Sequence, residues 1–116
     1  MSILDDVRDE IGRITISKNE LENDIKTIHS AYEQIEDVRA QVKPEFLDDY
    51  QGKFEGEARN TLFLRLQKIH DSLKQQSEIC EKTEKNMRKT LEKFKSTEIE
   101  LIAKMHQLIA ELSGGS

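Results

Sequence analysis

The amino-acid sequence predicts an all-α fold, a long antiparallel two-helix hairpin, and three observations carry that expectation. From Leu4 to Val42 the positions spaced alternately three and four apart are Leu4, Val7, Ile11, Ile14, Lys18, Leu21, Ile25, Ile28, Tyr32, Ile35, Arg39 and Val42, all but Lys18 and Arg39 apolar or aromatic. Such a register, held over more than five heptads, describes a helix that packs one narrow stripe against another helix. Punctuation is sparse, with one Pro and five Gly in 116 residues, and most of it falls between Lys43 and Gly56 and at Gly114-Gly115. The 35% hydrophobic and 5% aromatic content is too little for a thick globular core, so the apolar residues must be used as a seam.

The first helix is expected over about residues 3–42. Ser2 can accept from an orphan backbone N–H, and Asp5 and Asp6 place acids where the helix dipole favours them. Gly12 and Thr15-Ile16-Ser17 weaken helix propensity locally, by up to about 1 kcal/mol per residue, which packing along the stripe overrides. Lys43-Pro44 ends the helix, because proline disfavours the helical region for its predecessor and lacks an N–H. In the connection, expected over 43–56, Asp48 and Asp49 are suited to capping a following turn.

The second helix is expected over about residues 57–112. Its seam reads Leu62, Leu66, Ile69, Leu73, Gln76, Cys80, Thr83, Met87, Thr90, Phe94, Thr97 and Leu101. Beyond Leu101 come Ile102, Met105, Leu108, Ile109 and Leu112, so the stripe is expected to shift phase and widen. The helices would be roughly 60 Å and roughly 80 Å long at the α-helical rise, leaving about the last four turns of the second without a facing helix. That overhang makes Leu101, Ile102, Met105, Leu108, Ile109 and Leu112 the candidate partner-binding residues. Residues 1–113 read as a single helical-hairpin domain, and Gly114-Gly115-Ser116 as a flexible tail without fold information.

Charge and motif content narrow the function classes. A formal charge of −5 argues against nucleic acid as the main ligand, since phosphate binding needs clustered Lys and Arg. The basic run Glu81 to Lys95 is interleaved with acids at helical spacings, such as Glu81/Lys85 and Glu92/Lys95, and reads as a solvated face. No segment approaches the roughly 20 apolar residues that span a bilayer, and Met1-Ser-Ile-Leu-Asp-Asp-Val lacks a secretory signal's basic flank and apolar run. His29, His70 and His106 lie far apart, and His70 and Asp71 point about 100° apart on a helix, so no metal is expected. No nucleophile–base pair, phosphate loop or calcium-loop spacing is present: Gly52-x-x-x-Gly56 lacks the following Lys-Ser/Thr. No enzymatic activity and no cofactor are expected. Cys80, the lone cysteine, reads as a small helix-face residue.

Between the helices stands Phe54-Glu55-Gly56-Glu57-Ala58, an aromatic-x-Gly step that leads into the second helix. Locally, Phe54 would plug the end of the seam and Gly56 would permit a tight turn, with Ala58 a small first-turn residue. The order of helix, aromatic-x-Gly-x-Ala and helix resembles the WXG family of small type VII secretion proteins, with Phe in place of the name-giving Trp. The resemblance covers most of the chain in layout and about five residues in motif. It implies a hairpin that pairs with a related hairpin or a second copy of itself, and that leaves the cytoplasm through a type VII apparatus without a cleaved signal. Members carry a Tyr-x-x-x-Asp/Glu export signal after the second helix. Here Phe94-Lys-Ser-Thr-Glu98 is the candidate substitute, Tyr32-x-x-x-Glu36 lying on the first helix. The variant turn and altered signal are most like the small helical partners of LXG toxins, so the resemblance implies an adaptor for the helical targeting domain of such a toxin. The alternatives are a self-dimerising secreted WXG-like protein and a general structural coiled-coil scaffold.

Overall fold

A computed structural model describes residues 2–43 and 56–114. It has two helices, α1 (Ile3–Gln41) and α2 (Gly56–Gly114), which make an all-α helical hairpin. Their bounds lie within two residues of those the heptads and punctuation predict, and α2 takes in Gly114, assigned from sequence to the tail. The start of α1 is capped as expected: Asp5 donates its backbone N–H to Ser2 Oγ at 3.2 Å. Pro44, Asp48, Asp49 and Phe54, with the stopping, capping and plugging roles expected of them, lie outside the described residues.

Gly56, the first residue of α2, has φ +66°. An L side chain pays steric energy there and glycine does not, so the glycine of the aromatic-x-Gly step is needed by the backbone itself. A Cβ at this position would meet nothing within 4 Å, which leaves the dihedral as the whole cost.

The chain divides into two compact units, Met1–Lys26 with Lys85–Ser116, and Thr27–Glu84. In the first unit, Val7, Ile25 and Leu91 are 3%, 4% and 8% exposed and form the apolar core. In the second, the one buried side chain among the described residues is Ser77, at 3%. Its two helical segments run antiparallel: His29 meets Glu84 and Glu36 meets Ser77, so seven residues forward on α1 is seven residues back on α2.

All twelve seam positions expected on α1 are buried or half-buried. On α2 eight of the twelve expected seam positions are half-buried, Leu62 among them, and four lie one residue early. Leu66, Leu73, Cys80, Met87, Phe94 and Leu101 are half-buried, but Ile69, Gln76, Thr90 and Thr97 are exposed, while His70, Ser77, Leu91 and Glu98 turn inward. Thr83 is half-buried beside Glu84. The observed seam advances by four after each position of the Leu66 series and then by three. The same alternation continues through Leu101, Met105 and Leu108, all half-buried, so the expected phase shift is absent.

The expected overhang is absent too. Val7 is 3% exposed in a unit whose only α2 residues start at Lys85. Counting from the Thr15–Glu98 contact, eight residues back on α1 reaches about eight residues forward on α2, the turn of Met105 to Leu108. The C-terminal turns therefore have a facing helix. In the second unit the His29–Glu84 register brings the end of α1 level with about residue 72 of α2, so the earlier turns of α2 run past it. Phe63, Leu64 and Ile69 in those turns are 38%, 61% and 47% exposed. The register settles where the seam buries its side chains.

Candidate interaction surface

Among the described residues the structure offers packing, hydrogen bonds and ion pairs across the seam. No group of three or more His, Cys, Asp or Glu is placed to hold a metal ion, and no helix is long and apolar enough to cross a membrane.

In the first unit Glu98 is the polar centre. Thr15 donates its hydroxyl to Glu98 Oε2 at 2.7 Å, and Lys18 Nζ donates to Oε1 at 2.9 Å. The Lys18 bond, then that of Thr15, holds the Glu98 carboxyl below its ordinary value, and the Glu98 bond raises the Lys18 ammonium above its own. Glu98 and half-buried Phe94 are the pair singled out as a candidate export signal. In the folded chain both lie on the seam, and the carboxylate of Glu98 already has two donors.

The second unit carries a different polar set. His29 Nδ1 lies 2.7 Å from Glu84 and Nε2 lies 2.8 Å from Glu33, so the ring, when doubly protonated, donates to a carboxylate on each side. The bond to Glu84 is the main reason the His29 pKa stands above its ordinary 6.5. The ring also tilts against Tyr32, centroids 6.3 Å apart. Seven residues on, the buried hydroxyl of Ser77 donates to Glu36, which also accepts from Arg39 at 3.1 Å. The Ser77 bond, with Arg39 second, keeps the Glu36 carboxyl below its ordinary value. Glu36 is the acid of the Tyr32-x-x-x-Glu36 pattern, and it too is engaged inside its unit.

The remaining candidate residues separate by exposure. Leu101, Ile102, Met105 and Leu108 are half-buried, whereas Ile109 and Leu112 are 37% and 73% exposed. Gly56 and Ala58 are exposed in the first turn of α2. Composition and heptads did not single out other exposed apolar side chains, including Ile3, Ile16, Leu64, Ile79 and Ile99, each at least 60% exposed. Ile16 is a weak helix former that lies opposite the seam, and that position is the sequence signal for its exposure. The Glu92–Lys95 pair of the basic run is made on the surface at 3.7 Å.

The chain was compared with known proteins, and no family model, curated protein or solved structure matches it.

Proposed function

We propose that this chain is a non-enzymatic helical adaptor of type VII secretion, which packs against the helical targeting domain of an LXG-type toxin and carries it to the export apparatus. The observation that carries the reading is a hairpin with a thin core. Only three apolar side chains among the described residues are buried, none is fully so, and isoleucines and leucines stand exposed in both units. A helical pair of this kind gains most by adding a partner's helices to its own. The aromatic-x-Gly step supports the more specific form, because Gly56 has the left-handed φ that the motif's glycine allows.

In this reading the apolar residues outside the intramolecular seam do the binding. The partner's stripe covers side chains such as Ile99, Ile109 and Leu112, while Leu101, Met105 and Leu108 support them from the seam. The adaptor acts in the cytoplasm before export. Co-expression with the N-terminal domain of an LXG-type toxin encoded beside it tests the reading: a complex stable through gel filtration is the expected result. A tight self-dimer that leaves the toxin domain unbound would instead favour a self-pairing secreted protein.

A further inference from the structure

The first unit carries a surface whose chemistry narrows the kind of helix it accepts. On α2, Arg88, Lys95, Ile102 and Ile109 repeat every seven residues and so form one line along the helix. Lys95 and Arg88 also edge a solvent-open groove, whose walls are completed by Ile25 and Leu91 of the core and by Glu22 and Lys26 of α1. Three of its four charged residues are cationic. Ile99 adds a 68% exposed side chain one turn beyond Lys95.

Gly12 supplies the second observation. It lies three residues before Thr15 and shares its flank of α1, the flank that meets α2 at Glu98. Glycine within a helix is less favourable than alanine, and nothing among the described residues requires it here, since a Cβ at Gly12 would meet none of them within 4 Å. Close approach of a backbone from outside is the use that remains for a missing side chain at this place.

We infer that the face of the first unit formed by Gly12, Ile99, Ile102 and Ile109, together with the basic-edged groove at Lys26, Arg88 and Lys95, docks one amphipathic helix of a partner protein whose apolar stripe is flanked by acidic residues. The isoleucines take the stripe, Gly12 lets the helix come close, and the cations meet its acids. This inference rests on the adaptor reading and says which surface and which partner chemistry that adaptor uses.

The probe is a designed helix of about four heptads with Leu on its stripe and Glu on both flanks, alongside a copy with Lys in place of Glu. Fluorescence anisotropy with the full chain should show the Glu helix bound at least about tenfold more tightly than the Lys helix. The double variant Arg88→Glu/Lys95→Glu should reverse that order. Gly12→Leu should weaken binding about tenfold without lowering the melting temperature, because the free chain has room for the side chain and leucine favours the helix. Ile99→Lys, at a fully folded surface position, should weaken it as well.

Equal binding of the two probes, or indifference to Gly12→Leu and Ile99→Lys, overturns the inference. So does tighter binding to phosphatidylglycerol vesicles or duplex DNA than to the Glu helix, or sedimentation showing a second copy of this chain seated on the same residues. A toxin-domain complex that survives all these substitutions would remove this surface and leave the adaptor reading standing. Failure of the unaltered chain to bind any toxin domain removes the adaptor reading itself.

Discussion

The two units solve the same packing problem with different chemistry. The first buries Val7, Ile25 and Leu91 and places its polar cluster, Thr15, Lys18 and Glu98, beside that core. The second has no described apolar residue buried to that degree: it buries Ser77 against Glu36 and holds the His29 ring between the carboxylates of Glu84 and Glu33. Apolar burial is indifferent to pH and strengthens with each methylene removed from water, whereas hydrogen-bonded charges follow protonation and lose much of their worth to solvent. The first unit should therefore be the more stable, and the second the more responsive to solution conditions.

The largest test of that contrast is truncation of the apolar core. Leu91→Ala or Ile25→Ala should cost roughly 2–4 kcal/mol, measured by denaturant unfolding, because the lost side chain leaves a gap that a two-helix seam only partly closes. Ser77→Ala should cost clearly less, since it removes one donor from a carboxylate that keeps Arg39. Equal losses would show that the second unit also depends on close packing.

Gly56→Ala comes next. The left-handed φ makes any side chain strained, so a loss of about 1 kcal/mol is expected, with early opening at the start of α2 in hydrogen exchange. A substitution without cost would mean that the backbone relaxes there and that the glycine is not needed for the turn.

The pH response should separate the units over a smaller range. The His29 pKa is raised, so its contribution to the second unit is complete below about pH 6.5 and fades as pH rises through the higher folded value. Glu36 and Glu98 have lowered values, so each contributes above about pH 4.5 and its contribution is lost as pH falls through the folded value. Lys18 is raised above 10.5 and loses its contribution only beyond that. As pH rises from about 6.5 through the raised folded value of His29, the second unit should lose amide protection, corrected for intrinsic exchange, while the first stays level; His29→Gln should flatten the slope. Parallel curves for both units would end the distinction.

The smallest effect is expected at Lys18→Ala. Glu98 keeps the Thr15 hydroxyl, and a partly solvated ion pair contributes little. The melting temperature should scarcely move, and the Glu98 pKa, read by carbon-13 NMR, should rise toward its ordinary value.

Much of this architecture was legible beforehand, and the limits have physical causes. On α1 nearly every seam position holds an apolar side chain with a polar neighbour, so only one register buries the stripe. On α2 the neighbouring pairs Gln76/Ser77, Thr83/Glu84 and Thr97/Glu98 are polar on both members, and hydrophobicity does not choose between them. Leu91 beside Thr90 and the four-three run through Leu101, Met105 and Leu108 held the answer. Extending that run backward passes through Glu98, Leu91, Glu84 and Ser77. These are the residues that the structure finds turned inward, and the misassigned register is also what created the expected phase shift.

By itself, then, the sequence determined that two long helices form, where they start and stop, which stripe α1 presents, and that glycine begins α2. Those are local matters of period, capping and backbone dihedrals. Only the tertiary structure decided the alignment of one helix against the other. Alignment depends on which pairs satisfy a carboxylate or bury an isoleucine across the seam, and those pairs are separated by as many as 83 residues along the chain. That alignment gives the C-terminal turns a facing helix, commits Glu98 to Thr15 and Lys18, and leaves Ile99 and Ile109 of α2 turned outward.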